Sequence, residues 1–151
     1  MRIKIKSIQA LQTYELRHPL LREGHPIESC HLEKDLDPNS IHLGAYFMGQ
    51  LVGVLSAMPS RLEDRKKQNG IQLRAIAVKP SFQRKGIAAR LIHEVIHLLK
   101  SNLKPDYIWL NARIDAIPLY LKNGFSKTGG LFEIEPIGTH QRFIKVLNYE
   151  S

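Results

Sequence analysis

Residues 83–88, Gln-Arg-Lys-Gly-Ile-Ala, contain the chemistry best suited to hold a phosphate group. They lie between an apolar stretch and a segment with helical periodicity, so the end of the motif would begin a helix. The first backbone N–H groups of a helix have no internal partner, and its dipole favours an anion there. Gly86 would allow a ligand close to the backbone, and Arg84 and Lys85 add positive charge. These residues alone leave open a second interpretation, in which Gly86 only shapes a turn and the basic side chains are solvated.

A second pattern is His-Glu-x-x-His at residues 93–97, which on a helix could place His93 and His97 on one metal ion. A catalytic zinc site also needs a third protein ligand and a shielded cavity. Both histidines fall on the charged side of the predicted helix, between Arg90 and Lys100. We therefore predict solvated histidines and no metal.

The single cysteine, Cys30, could act as a thiol nucleophile with His25 or His31 as its base. It lies in a polar stretch without an assembled set of partners, so we do not expect this chemistry. A single cysteine cannot form an internal disulfide, and a chain without disulfides suits a reducing compartment.

The elements that must position these residues alternate between strands and helices, which favours an α/β or α+β domain. The segment 86–101 is the clearest helix, because its apolar residues fall on one arc at 100° per residue. Strands at 71–78 and 107–112 flank it, which implies a parallel pair. The other predicted strands are 2–8, 41–46, 51–58, 125–128 and 140–147, and the other predicted helices are 9–22 and a short one capped by Asp115 and stopped by Gly124.

Composition narrows the class of protein. The 151 residues suit one domain, 1–151, and the 43% hydrophobic and 24% charged fractions are near globular averages. The net charge of +8 favours an anionic partner. We expect no nucleic acid, because the basic cluster at 61–67 holds no aromatic residue and includes Glu63 and Asp64.

No apolar run is long enough to cross a bilayer and no signal peptide is evident, so we expect no membrane partner and a cytoplasmic location.

Two motifs at compatible spacing resemble those of the GNAT superfamily of acyl-CoA-dependent N-acyltransferases. Residues 83–88 fit the pyrophosphate loop of that family, Gln/Arg-x-x-Gly-x-Gly/Ala, from Gln83 to Ala88. Tyr120, Gly124 and Phe125 fit its Tyr-x-x-x-Gly-Phe motif. The likeness is strong over 71–125, and segments 16–22 and 132–140 look like those of a poorly characterised subgroup, where they would border the acceptor pocket.

The resemblance implies a fold and a reaction. The fold would be a mixed, mostly antiparallel sheet of six or seven strands, with a central parallel pair splayed apart and helices on both faces. The reaction would be transfer of an acetyl group from acetyl-CoA to a primary amine by direct attack in a ternary complex. The acceptor would be a small-molecule or protein amine, no metal would be needed, and a homodimer is compatible with the family.

The resemblance also implies roles for individual residues. Tyr120 would be the general acid that protonates the departing thiolate, although a core tyrosine beside Phe125 is the alternative. A backbone N–H near Ile76 would stabilise the oxyanion. The residues that would contact the cofactor are Ile76, Ala77, Val78, Gln83, Arg84, Lys85, Gly86, Ile87, Ala88, Ala89, Asn111 and Arg113.

Some positions depart from the family's pattern. Gln72 stands where some members carry a glutamate base, and Arg113 stands where many carry an asparagine. The remaining candidates for the base are Glu28, Glu133, Glu135 and His140. Because an amide is not basic, a non-catalytic acyl-CoA-binding sensor or interaction domain of the same fold remains an alternative.

Overall fold

A computed structural model describes residues 1–149 as seven strands and three α-helices connected by loops and short 3₁₀ turns. The strands are β1 (Ile3–Ser7), β2 (Ile41–Phe47), β3 (Gln50–Pro59), β4 (Gly70–Val78), β5 (Tyr107–Arg113), β6 (Ser126–Ile134) and β7 (Gly138–Val146). The helices are α1 (Ala10–Leu21), α2 (Ile87–Ser101) and α3 (Ile117–Lys122).

All seven strands form one sheet in the order β1-β2-β3-β4-β5-β7-β6. The β4–β5 pair is parallel and every other neighbouring pair is antiparallel. This confirms the predicted mixed sheet and its central parallel pair. The crossover between the two parallel strands is α2, as the strand-helix-strand pattern indicated.

Helices cover both faces of the sheet because α1 and α2 bury different apolar side chains. Leu91, Val95 and Leu99 of α2 lie in the main core, together with Leu55 of β3 and Ile108 of β5. On the opposite face, Leu16 of α1 packs with Val54 and Ala77 in a smaller cluster. None of the helices in residues 1–149 is long and apolar enough to span a bilayer.

Two boundary predictions were wrong. Asp115 does not cap α3, since it lies in a 3₁₀ turn, and the residue before the helix is Ala116, without a side-chain cap. Pro118 supplies a pre-set φ in the first turn instead. Strand β6 continues to Ile134 rather than ending at residue 128, because a register shift between Thr128 and Phe132 absorbs the irregular middle of the strand.

The parallel strands β4 and β5 diverge after a short paired stretch. Their pairing consists of Gly70 with Tyr107, Ile71 with Ile108 and Gln72 with Trp109. Beyond Gln72, β4 has no partner on that side, so the predicted splayed pair is confirmed. The edges facing this gap carry backbone N–H and C=O groups that no neighbouring strand satisfies.

A buried ion pair ties the long loop between α1 and β2 to the sheet. Arg17 of α1 donates two hydrogen bonds to the carboxylate of Asp35, at 2.7 and 2.9 Å, and both side chains are almost fully buried. Arg17 also donates to the Cys30 carbonyl and to Ser56 Oγ on β3. His42 closes the network, since its Nε2 donates to the Asp35 carbonyl and its Nδ1 accepts from Ser56 Oγ.

The ionised form of Asp35 is favoured despite its burial. Burial pushes the pKa of this carboxyl upward, but the Arg17 hydrogen bonds, the Leu32 backbone N–H and the charge of Arg17 outweigh that effect. The net result is a pKa below the usual range. The loop is therefore fixed by a charge pair that exists throughout the neutral pH range.

Asp35→Asn should lower the free energy of unfolding by about 3–5 kcal/mol, because it leaves the buried Arg17 without its counter-charge. Urea denaturation at pH 7 measures this, with the exposed Glu33→Gln in the same loop as the control. The pKa of Asp35 is lowered on folding, so the full contribution is present above about pH 4 and is lost as the pH falls through the folded-state pKa. Equal denaturation midpoints for Asp35→Asn and wild type at pH 7 would contradict this account.

Candidate active site

The gap between β4 and β5 opens into a cleft of about 680 Å³. Because α1 and α2 pack on opposite faces of the sheet and both contribute to its walls, the cleft passes from one face to the other. Lys85 is exposed and does not line it, so this cofactor-contact prediction receives no support from its side chain. The other predicted site residues that line the cleft are Ile76, Ala77, Val78, Gln83, Arg84, Gly86, Ile87, Ala88, Ala89, Asn111, Arg113 and Tyr120.

A β-bulge in β4 shapes the middle of the cleft. Ser56 pairs with Arg74 and Val54 with Ala77, so Ala75 and Ile76 together face the single residue Leu55. Ala75 adopts φ 53°, a left-handed conformation that is uncommon for a residue with a Cβ. The extra residue leaves backbone groups of β4 outside the ladder with β3, beside the unpaired edge.

The bulge also reverses which side chains of β4 face each side of the sheet. Before it, Ile71 and Leu73 pack in the core under α2, and after it Ile76 and Val78 do so. Gln72 and Arg74 consequently belong to the opposite side, where α1 lies. Gln72 and Arg74, which precede the bulge, and the free backbone groups at the bulge therefore lie at the same cleft.

The loop from Gln83 to Gly86 forms one end of the cleft. Gln83 Nε2 donates a 3.0 Å hydrogen bond to the Val78 carbonyl, which ties the loop to the end of β4. Arg84 and Gly86 both have positive φ, 62° and 80°, and Gly86 is the residue immediately before α2. A Cβ at Gly86 would meet no atom within 4 Å, so the space above its backbone is open.

The N-terminus of α2 presents free amides to this open space. The first hydrogen bond across the helix start runs from the Arg90 N–H to the Gly86 carbonyl, and no side chain caps the helix. The N–H groups of Ile87, Ala88 and Ala89 therefore have no partner within the helix. With the guanidinium groups of Arg84 and Arg113 in the same cleft, this end suits a multiply charged anion such as a pyrophosphate.

Tyr120 lies in the wall of the cleft and in the core at once. Only 5% of its surface is exposed, and its ring packs edge-on against Phe125 and at a tilt against Phe143. Burial raises the pKa of its phenol well above the ordinary value. The hydroxyl is therefore protonated at neutral pH and able to donate, which is what a general acid requires.

Of the four candidate bases, His140 is the one that lines the cleft within residues 1–149. Its Nδ1 lies 2.8 Å from the Gly138 carbonyl. A carbonyl only accepts, so Nδ1 carries the proton and the lone pair of the neutral ring is on Nε2. Glu28, Glu133 and Glu135 are exposed outside the cleft, and Glu133 accepts a hydrogen bond from Thr139.

Asn111 and Gln72 supply amides rather than a base to the cleft. Asn111 lies on β5, and its Oδ1 accepts a 3.0 Å hydrogen bond from Arg142 Nε. Arg142 in turn lies over the ring of Trp109. This arrangement holds the side chain of Asn111 in one orientation. Gln72 is half-buried on β4 and lines the same cleft, where its amide cannot take up a proton.

The two alternative centres are not assembled as reactive sites. Cys30 lines the cleft, but burial raises the pKa of its thiol, and this outweighs the lowering by Arg17 and Arg22. A thiol that stays protonated is a poor nucleophile. His93 and His97 are exposed on α2, and within residues 1–149 no group of three metal-ligating side chains comes together.

The cleft also contains three arginines to which the sequence analysis gave no individual role: Arg17, Arg22 and Arg74. Arg17 and Arg22 belong to the segment 16–22, which the family resemblance placed beside the acceptor pocket. The sequence contained a signal for Arg74, because it is a charged residue inside the apolar strand sequence from Ile71 to Val78. A charge in a strand that is buried on both sides needs a partner or a cavity. The role of Arg17 depends on contacts with Cys30, Asp35 and Ser56, which are distant along the chain, and leaves no local pattern.

Comparisons with known proteins agree with this geometry. The Acetyltransferase (GNAT) family matches residues 10–125. The uncharacterized N-acetyltransferase YitI of Bacillus subtilis (strain 168) is 30% identical over 145 residues, which cover 96% of this chain and 97% of YitI.

Solved structures share the fold. An aminoglycoside 6'-N-acetyltransferase complexed with coenzyme A has a TM-score of 0.76 at 16% identity, covering 98% of this chain and 99% of that one. A chain of the NatC complex bound to Gag peptide and CoA has a TM-score of 0.77 at 18% identity, covering 98% of this chain and 100% of that one.

Proposed function

Because the chain belongs to the acetyltransferase (GNAT) family and is an acetyltransferase enzyme, we propose that it transfers an acetyl group from acetyl-CoA to a primary amine. The amine would attack the thioester directly, with both substrates bound together and no acyl-enzyme. Acyl transfer follows from the family, whereas the acetyl donor, the amine acceptor and the direct attack are proposals.

The observation that carries the proposal is the unpaired edge of β4 beyond Gln72, which faces the gap toward β5. The pantetheine arm of CoA has two amide groups and can therefore add to such an edge as a strand does. Backbone groups of Ile76, Ala77 and Val78 would pair with it. The arm would then extend from the loop before α2 toward the bulge at Ala75.

The pyrophosphate of CoA would lie at the N-terminus of α2. The free amides of Ile87, Ala88 and Ala89 point to this end of the cleft, and Arg84 and Arg113 add charge. Gly86 matters here through both its left-handed backbone and the open space above it. Asn111 would help to orient the acyl end, since Arg142 holds its side chain in place.

The chemical step would use two side chains and the backbone of the bulge. A free N–H near Ile76 would stabilise the negative charge that develops on the thioester oxygen. Tyr120 would give its proton to the sulfur as the carbon–sulfur bond breaks, and its buried phenol stays protonated for that purpose. His140 Nε2, directly or through a water, would accept the proton of the attacking amine.

The sequence alone left a non-catalytic acyl-CoA-binding domain as an alternative, and the match to an acetyltransferase family argues against it. Gln72 favours it, because an amide stands on β4 where some family members have a glutamate base. Tyr120 argues against it, since the proposed acid is retained in the cleft wall. A cytoplasmic location, a homodimer and the choice between a small-molecule and a protein acceptor stay predictions.

Gly86→Glu should abolish acetyl-CoA binding, because the carboxylate would occupy the anion position and repel the pyrophosphate. For the wild type, a ligand at about 100 times its Kd should add about 2.7 kcal/mol of stability, which a thermal-unfolding shift detects. Gly49→Glu is a matched control, since Gly49 also has positive φ and open space above it but lies in the β2–β3 turn. A ligand-induced shift in Gly86→Glu equal to that of the control would refute the proposed anion site.

Tyr120→Phe should lower kcat by about 10²-fold while the Kd for acetyl-CoA changes little, because only the proton donor is lost. Thiol release measured with an accepted amine gives kcat, and Tyr46→Phe, outside the cleft, is the control. Burial raises the pKa of Tyr120, so its deprotonation should not limit the wild type below about pH 10, the ordinary phenol value. Unchanged kcat in Tyr120→Phe would remove this residue from the mechanism.

A further inference from the structure

The cleft has a second end, on the side of the sheet where α1 packs. Its walls come from the C-terminal part of α1, the loop between α1 and β2, the part of β4 that follows its pairing with β5, and the β6–β7 hairpin. The Gln83–Gly86 loop follows the far end of β4. Because of the bulge, Arg74 and Val78 lie opposite Ser56 and Gly53. Arg74 is therefore about 10 Å back along the strand from Val78, at about 3.3 Å for each of three residues of β3. An acyl donor held as proposed above would leave this end to the acceptor.

Arg74 is the distinctive residue of this acceptor end. Its guanidinium is half-buried in the cleft wall, and among residues 1–149 no carboxylate forms a salt bridge with it and no side-chain hydrogen bond engages it. Burial, together with the positive charges of Arg17 and Arg22, lowers its pKa, although Asp35 partly opposes this. A guanidinium in such a place is poorly compensated by the protein itself.

The charge around Arg74 remains positive because its neighbours are also arginines. Arg17 is neutralised by Asp35, but its Nε is the buried side-chain donor within residues 1–149 that has no hydrogen-bond partner. The side chain of Arg22 makes one long hydrogen bond, to the neighbouring Leu21 carbonyl, and no ion pair with any described residue. The lining of the whole cleft includes one carboxylate, that of Asp115, on the loop after β5.

Beside the polar Gln72 and Ser29, the acceptor end has an extensive apolar lining. Leu20 and Leu21 from α1, Leu32 from the loop, and Ile134 and Ile137 from the β6–β7 hairpin line it. A polycationic acceptor would meet two uncompensated guanidinium groups and no carboxylate here. An acceptor with an apolar part and an anionic group would match both the charge and the lining.

We infer that the acceptor is an apolar amine that also carries an anionic oxygen group, a carboxylate or a phosphate, and that Arg74 with Arg22 binds this group. The inference rests on the proposed acetyl transfer to an amine and specifies its acceptor. The planar guanidinium of Arg74 offers paired N–H donors that fit either anion. The anion would supply the counter-charge that the guanidinium of Arg74 lacks among the described residues.

The experiment compares matched acceptors and matched products on the intact protein. Leucine, leucinamide, spermidine and the aminophosphonate analogue of leucine are tested for CoA release from acetyl-CoA. In parallel, N-acetyl-leucine and N-acetyl-leucinamide are tested for a thermal-unfolding shift in the presence of CoA, which needs no turnover. Both measurements are repeated with Arg74→Gln, Arg74→Lys and Lys67→Gln, the last removing a charge from the exposed loop before β4.

We expect the wild type to prefer leucine or its phosphonate over leucinamide and spermidine by about tenfold or more in kcat/KM, as for a hydrogen bond to a charged group. Arg74→Gln should abolish this preference and the shift with N-acetyl-leucine, Arg74→Lys should retain part of both, and Lys67→Gln should retain both fully. The ratio between leucine and its phosphonate tells which anion the site favours.

The possible outcomes distinguish a failure of this inference from a failure of the proposed function. Acetylation of leucinamide or spermidine as fast as leucine, or an unchanged preference in Arg74→Gln, would overturn the anion site while leaving amine acetylation in place. Absence of CoA release with every amine would count against the proposed function, whereas a shift with N-acetyl-leucine that disappears in Arg74→Gln would still support the site. No shift with N-acetyl-leucine in the wild type would overturn the inference.

Discussion

The short pairing of β4 with β5 is the constraint on which the rest of the structure depends. The two strands are joined through Gln72 and Trp109 and then separate, while the bulge at Ala75 adds a residue to β4. A longer ladder would close the gap and satisfy the backbone groups that now face it. The cleft and the free strand edge follow from the short parallel pairing, and the bulge adds the change of side-chain direction along β4.

The two ends of the cleft are built by different means. At the end near α2, the backbone amides proposed to bind the anion and the left-handed Gly86 come from one short stretch of sequence, so a few adjacent residues specify this end. At the end near α1, the walls are brought together by the buried pair of Arg17 and Asp35, which links a helix, a loop and β3. The end near α2 therefore depends on one loop, whereas the end near α1 depends on tertiary packing.

The contrast between local and long-range determinants explains which parts of the fold and of the site could be predicted from the sequence. Helix α2 and its preceding loop follow from apolar periodicity and glycine placement, which are local properties, and the structure confirms them. The prediction that Asp115 caps α3 was wrong, because a 3₁₀ turn precedes the helix and Pro118 lies in its first turn, without a side-chain cap. Arg74 and the Arg17–Asp35 pair were not predicted, since their meaning depends on contacts between residues far apart in the chain. The roles of Tyr120 and of the cofactor-binding residues stay predictions.

Hydrogen exchange of the β4 backbone amides, followed residue by residue by NMR with and without acetyl-CoA, tests the central claim most directly. The claim is that the free edge of β4 binds the donor as a strand. Amides within residues 73–78 that face the gap should exchange quickly in the free protein and become protected when the donor binds, together with those at the start of α2. The paired segment around Ile71 provides the internal reference. Saturating donor that protects the start of α2 but leaves the gap-facing amides of β4 unprotected would contradict the account.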